Sequence, residues 1–432
     1  MGNIKGKKKN ILVFPCGSEI ALEIYRSVNK SAHFNLIGAS SVDDHGSFVY
    51  DNYIGGVPFV TESKFLETIK RIVAENKIDA VYPAMDMVIE ILKKNENAIG
   101  CKVIASCSET TQICLSKSST YKRLSRIVKT PHLYQDADDI PYYPVFVKPD
   151  IGYGSRGAKK IQNKEDLNVH LSEYPNSIIC EYIAGDEYTV DCFTDRNGDL
   201  IVVKPRERRR IMNGISVNTK PVYDKGEFLD FARKINAEIK FNGAWFFQVK
   251  RNSDGILTLL EIASRLGGSS GLFRAKGINF ALMSLYNAFD IPVSVIENDY
   301  SIEMDRALDN KYKINISYNE VFVDFDDCIF LNQKDVNIEL ISFLYRCVNN
   351  KIRLTLLSKH DDKMLGNLDD MLKKLRIQHL FDRIIHLDNA DSKYKYIDNK
   401  HSIFIDDSFA ERREIAQHCG IPVFGLDMVE VL

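Results

Sequence analysis

Residues 321–330 read VFVDFDDCIF: an apolar run ends in Asp324, Asp326 and Asp327, then turns apolar again. Crowding like charges where solvent is scarce is costly unless a counter-charge joins them, and a divalent cation supplies one. Asp324 and Asp326 stand two apart, so a turn after Asp324 brings both to one cation. Downstream, RLTLLSKH puts Ser358 at the end of a second apolar strand, DSKYKYI supplies Lys393, and HSIFIDDSF puts Asp406 and Asp407 at the end of a third. A nucleophilic carboxylate, a hydroxyl, a lysine and a distal acid pair at the strand ends of one sheet make a phosphoryl-transfer site. The plainer reading is a structural sheet with acidic edges.

A second group lies in the middle of the chain. In VFVKPDIGYGSRGAKKI, Lys148 ends an apolar strand and Gly152, Gly154 and Gly157 follow. Glycines let backbone N–H groups approach phosphate oxygens, and a lysine adds a point charge. Glu181 and Glu187 sit in EYIAGDE, while Gln248 and Glu261 lie on the two arms of a hairpin whose turn is NSDG. Adjacent antiparallel arms put both side chains on one face, an oxygen platform suited to magnesium. Arg265, just beyond, is placed to neutralise phosphate. Between these segments, Arg206, Arg208, Arg209 and Arg210 form a basic cluster, either a contact for a substrate carboxylate or phosphate or simply a solvated face.

The elements that must position these groups fall into three blocks. From about residue 8 to 115, NILVFPC, FNLIGAS, IDAVYPA and CKVIAS read as strands alternating with helices such as GSEIALEIYRSV, the pattern of a parallel, doubly wound sheet. From about 116 to 300, a polar helix, LSKSSTYKRLSRIV, precedes several hairpins, the pattern of an antiparallel sheet. ENDYSIEMDRALDNKYKINISYNE reads as a linker or surface helix, after which strand–helix alternation returns to the C-terminus. The expected boundaries are 1–115, 116–300 with a lid at about 130–185, a linker at 301–317, and 318–432.

The chain of 432 residues has 45% hydrophobic and 27% charged residues and a net charge of −2. That balance suits a soluble multidomain protein and gives no global reason to expect nucleic-acid or membrane binding. The basic start, KGKKKN, is followed by no long apolar region of a secretory signal, and no apolar run is long enough to span a bilayer. Nine cysteines without CxxC pairs read as reduced thiols in the cytoplasm.

LSKSSTYKRL, PVFVKPDIGYGSRG, IICEYIAGDEYTVD, FFQVKRN and LLEIASRLGG, in that order, resemble the ATP-grasp superfamily over residues 8–300. The resemblance implies a Rossmann-like domain before the ATP-grasp fold, with ATP and Mg²⁺ (or Mn²⁺) as cofactors. It implies phosphate contacts from Lys117 and Lys148, and a lid made by the glycine loop that includes Gly154 and Ser155. Glu181, Tyr182 and Ile183 would line the adenine, and Glu187 would hold the ribose. Gln248 and Glu261 match the metal ligands and Arg265 a phosphate-binding arginine. One position departs: Ala263 stands where the family has asparagine, leaving either one magnesium or an oxygen supplied by Ser264 or water.

The spacing of Asp324, Ser358, Lys393 and Asp406 resembles the haloacid dehalogenase superfamily over residues 318–432. It implies a capless Rossmannoid fold in which Asp324 is the nucleophile and Asp326 the acid–base. Ser358 and Lys393 would hold the phosphoryl group, with Lys395 as the fallback for Lys393. Asp324, Asp406, Asp407 and the backbone carbonyl of Asp326 would surround magnesium. Cys328 stands where threonine is common. The intervals 324–358 and 358–393 leave no room for a cap domain, so the site is expected to be open unless the other half of the chain or another subunit covers it.

The whole chain thus reads as a bifunctional enzyme of α/β and α+β domains. An ATP-dependent carboxylate–amine (or thiol) ligase would act through an acyl-phosphate beside a phosphatase acting through an aspartyl-phosphate. Its partners are small carboxylate, amine and phosphorylated substrates, and a homo-oligomer is compatible with the sequence. Two other readings stay open: a kinase of a small acceptor with an editing phosphatase, and a nucleotide-responsive regulatory module with little turnover.

Overall fold

The computed structural model describes residues 8–152, 156–309 and 311–432. The architecture is mixed α/β and divides into two compact units, one ending at Asp309 and one running from there to Leu432. Among the described residues, no helix is long and apolar enough to cross a membrane.

The first unit opens with a parallel sheet of five strands in the order Tyr53–Ile54, Phe34–Ala39, Lys9–Phe14, Ala80–Pro83, Lys102–Val103. ILVF is buried without interruption, as a strand covered on both faces requires. The helix Glu19–Val28 follows because Ser18 accepts a hydrogen bond from Ala21 N and caps it, and Ala21, Ile24 and Val28 make one buried stripe.

Two antiparallel sheets complete this unit. The smaller has the order Leu133–Tyr134, Ser177–Glu181, Val145–Pro149, Lys159–Ile161. The larger has six strands in the order Leu257–Ala263, Gly243–Arg251, Glu187–Thr194, Leu200–Met212, Ile215–Pro221, Met304–Asp305. The last pair corrects the expected linker at 301–317: Met304 and Asp305 pair with Thr219 and Asn218 and extend the sheet edge. The surface helix expected in this stretch is absent from the described residues; the backbone there is otherwise irregular. The single polar helix expected at LSKSSTYKRLSRIV ends earlier, at Leu124, and is directly preceded by a second helix, Ser108–Leu115.

The second unit is built on a parallel sheet of five strands in the order Arg383–His386, Arg353–Ser358, Glu320–Val323, Ser402–Ile405, Val423–Phe424. Its central strand is buried along its whole length, and Val321, Val323, Leu354, Leu356, Ile403 and Ile405 pack into one core. A small hairpin, Phe330–Leu331 with Asp335–Val336, follows the central strand.

Candidate functional site

In the first unit a cleft of about 230 Å³ lies between the two antiparallel sheets. Lys148 reaches it from the end of Val145–Pro149 and is buried. Its Nζ donates to the Tyr121 hydroxyl at 2.8 Å and to the Leu260 carbonyl at 2.9 Å, and the Tyr121 hydroxyl donates to the same carbonyl at 2.6 Å. That carbonyl is available because the strand pairing slips: Gln248 faces Glu261 but Val249 faces Leu259, leaving Leu260 as a bulge. Lys117 Nζ donates to the carbonyls of Asp150 and Gly152 at 3.3 and 3.4 Å. Burial lowers the Lys117 pKa. Asp150 ties the two lysine-bearing segments together, accepting from Ser118 N at 2.7 Å and from the hydroxyls of Ser116 and Ser118 at 2.9 and 3.0 Å.

Gln248 and Glu261 are direct neighbours across the strand pair, and both line the cleft. Ala263 lies two residues beyond Glu261 and lines the same cleft, whereas Ser264 lines a second cleft of about 130 Å³ with Tyr82, Ser284 and Asn287. Side chains alternate along a strand, so Ser264 is turned away from Glu261 and cannot supply the oxygen that Ala263 lacks. The expectation that Ser264 substitutes is therefore corrected.

Arg265 also enters the cleft, gripped by Asp86 through two hydrogen bonds of 2.8 Å each. Glu181 accepts from His132 N at 3.2 Å, Tyr182 carries Lys160 Nζ 4.2 Å over its ring, and Ile183 is buried. Gly154 and Ser155 lie outside the described residues. Glu187 is not free: it pairs with Arg208, and with Lys250 at 3.6 Å. The basic cluster separates. Arg206 pairs with buried Asp191 at 2.7 Å, Arg209 with Glu303 at 2.9 Å and Arg210 with Asp305 at 2.8 Å. Only Arg208 among these four lines the cleft. Tyr121 and Asp150, which hold the lysine-bearing segments, carry no signal in the sequence that links them to the cleft.

In the second unit the strand ends bring acids together. Asp324 directly follows the central strand and Asp406 the neighbouring one, and Lys393 Nζ lies 2.6 Å from a carboxylate oxygen of each. Burial pushes the Asp324 carboxyl up; Lys393 opposes that shift and Asp406 adds to it. Donor atoms of Asp324, Cys328, Asp406 and Asp407 all lie within 4.8 Å of one another. The three carboxylates suit a hard cation such as Mg²⁺. Burial raises the Cys328 thiol pKa, and its sulfur accepts from Asp407 N at 3.0 Å. Ser358 is buried at the end of its strand, close enough to bias Asp324 but without a well-formed hydrogen bond from its hydroxyl among the described residues.

Asp326 lies apart from this group. Its carboxylate takes hydrogen bonds from His360 Nδ1 at 2.8 Å and Gln333 Nε2 at 3.1 Å. Burial alone would lower the His360 pKa, but the Gly366 carbonyl and the Asp326 carboxylate raise it. His360 follows Ser358 by two residues in SKHDD, and that polar run after an apolar strand is the signal that could have found it. Lys395 points elsewhere, to Asp391 at 2.9 Å, so Lys393 is the lysine that meets the acids.

Residues 173–311 match the family described as ATP-grasp in the biosynthetic pathway with Ter operon. The chain is 27% identical to a D-alanine–D-alanine ligase of Fusobacterium nucleatum over 195 residues, 42% of this chain and 64% of that ligase. It thus spans less than two thirds of that relative's length. It is 25% identical to the carbamoyl phosphate synthase large chain of Thermoplasma acidophilum over 118 residues, 24% of this chain and 11% of that one. Among solved structures, the biotin carboxylase domain of 2-oxoglutarate carboxylase from Hydrogenobacter thermophilus, in complex with MgADP, ADP and bicarbonate, aligns with a TM-score of 0.57 and 16% identity, covering 66% of this chain and 70% of that one. An L-amino acid ligase from Bacillus licheniformis aligns with a TM-score of 0.55 and 16% identity, covering 68% and 76%. Together these likenesses support the ATP-grasp superfamily for the first unit.

Proposed function

We propose that the chain is a bifunctional enzyme: an ATP-dependent carboxylate–amine ligase in the first unit and a Mg²⁺-dependent phosphatase of the haloacid dehalogenase type in the second. The observation that supports the ligase most is the cleft that gathers Lys117, Lys148 and Arg265 opposite the neighbouring pair Gln248 and Glu261. ATP and Mg²⁺ supply the phosphoryl group that activates a carboxylate for attack by an amine, and the charge that stabilises its transfer. Lys148, fixed by Tyr121 and Leu260, and Lys117, fixed by two carbonyls, hold phosphate oxygens without having to reorganise. Arg265, locked by Asp86, presents a planar cation at the mouth of the first block's strands, where an acceptor carboxylate enters. Glu261 would hold the metal, whereas the oxygen of its neighbour Gln248, expected as a second ligand, is engaged by Arg208.

For the second unit the supporting observation is Lys393 bridging Asp324 and Asp406. Asp324 attacks phosphorus as the ester P–O bond breaks, giving an aspartyl-phosphate. Asp326, oriented by His360, would in its protonated form give a proton to the leaving oxygen, and the carboxylate left behind would take one from the water that hydrolyses the aspartyl-phosphate. Lys393 and Ser358 hold the phosphoryl oxygens, and Asp324, Asp406 and Asp407 would hold magnesium. A mass-spectrometric screen of carboxylate and amine pairs with ATP and Mg²⁺ tests the ligase. The expected result is a condensed product with ADP. ADP formed without any amine favours the kinase reading, and tight ATP binding without ADP across the panel favours a regulatory module.

A further inference from the structure

Two-metal nucleotide sites need oxygen ligands for both ions, and in this cleft the acids other than Glu261 are largely engaged: Glu187 by Arg208 and Lys250, and Asp86 by Arg265. Ala263 presents a methyl group beside Glu261, and Ser264 faces the other cleft. The oxygen of Gln248 is already engaged, accepting from Arg208 Nη1 at 2.8 Å. The same guanidinium pairs with Glu187 and donates to the Gly214 carbonyl at 2.7 Å. Its side chain is 5% exposed, and its Nε is buried with no hydrogen-bond partner among the described residues. The strand Leu200–Met212 is irregular from Arg208 to Ile211, where Arg208 faces Thr219 but Arg210 faces Asn218. That irregularity sends Arg209 and Arg210 to the exposed sheet edge and leaves Arg208 inside.

We infer that the cleft takes one divalent cation with its nucleotide, not two, and that Arg208 supplies the positive charge at the position beside Gln248. This rests on the ATP reading of the cleft. A second cation on the Gln248 oxygen would sit against a fixed guanidinium, and like charges in a poorly solvated cleft repel. A guanidinium with an unused N–H donor, by contrast, is suited to phosphate oxygens. Arg208 is then a phosphate-binding residue.

The test is a count of Mn²⁺ taken up by the full chain with a non-hydrolysable ATP analogue, less the count without nucleotide, so that ions held by the second unit cancel. The expected result is one Mn²⁺ per bound analogue; two would overturn the inference. No bound analogue would overturn the ATP reading and the inference with it. In Arg208→Gln, analogue binding should weaken at least about tenfold more than adenosine binding, which senses Arg208 only through its pair with Glu187. Equal losses for both ligands would mean that Arg208 is structural and would also overturn the assignment. The double variant Ala263→Asn, Arg208→Gln should raise the count to two, and a count still at one would overturn the proposed cause.

Discussion

The two candidate sites handle charge in opposite ways. The cleft of the first unit spreads its cations over several elements, and each is held by a partner that is itself neutral or distant in sequence: Lys148 by a tyrosine and a carbonyl, Lys117 by two carbonyls, Arg265 by Asp86. The second unit concentrates buried acids around one buried lysine. The first arrangement is preorganised for an anion that brings its own charge. The second is an anionic nest with a built-in counter-ion, suited to a nucleophile that must stay close to a metal. Both are made at strand ends, but the antiparallel sheet needs a bulge at Leu260 to free its carbonyl, whereas the parallel sheet aligns Asp324, Ser358 and Asp406 by topology alone.

If the sites are chemically separate, single changes should divide them. Asp324→Asn should reduce hydrolysis of a generic phosphate ester by at least about a thousandfold while leaving ATP binding intact, as measured by steady-state assay and calorimetry. Full ester hydrolysis in that variant would remove Asp324 as nucleophile. Glu261→Gln should lower ATP consumption by about a hundredfold or more and leave ester hydrolysis unchanged, followed by ADP release. Loss of both activities would erase the contrast between the sites. Tyr121→Phe keeps the ring and removes the hydroxyl that accepts from Lys148, so ATP should bind about fivefold more weakly, the size of one hydrogen bond. Lys395→Ala should change ester hydrolysis by less than about twofold, because this exposed pair with Asp391 contributes little; a loss like that expected at Asp324 would move the lysine role from Lys393 to Lys395.

What the sequence makes legible follows the same division. Continuous apolar runs such as ILVF and VFV mark buried parallel strands, and the acids at their ends are visible because strand and terminus adjoin in sequence. Gln248 and Glu261 are readable as neighbours because a short hairpin joins them. Contacts closed by tertiary structure are not. Asp86 and Arg265 lie far apart in the chain, and Arg208 looks like one member of a charged run until the irregularity after it is seen. The stretch around Met304 is polar enough to pass for a linker, but two residues pairing with Thr219 and Asn218 decide otherwise. His360 stands in the polar run SKHDD after an apolar strand, but its pairing with Asp326 is closed only by tertiary structure.

The central claim is that one chain holds two distinct phosphate-and-metal centres. An anomalous difference map from a crystal of the full chain grown with Mn²⁺ and a non-hydrolysable ATP analogue tests it most directly. The expected result is a peak beside Glu261 against the nucleotide phosphates and another among Asp324, Asp406 and Asp407. A map with nucleotide elsewhere, or with no Mn²⁺ at either group of carboxylates, would contradict it.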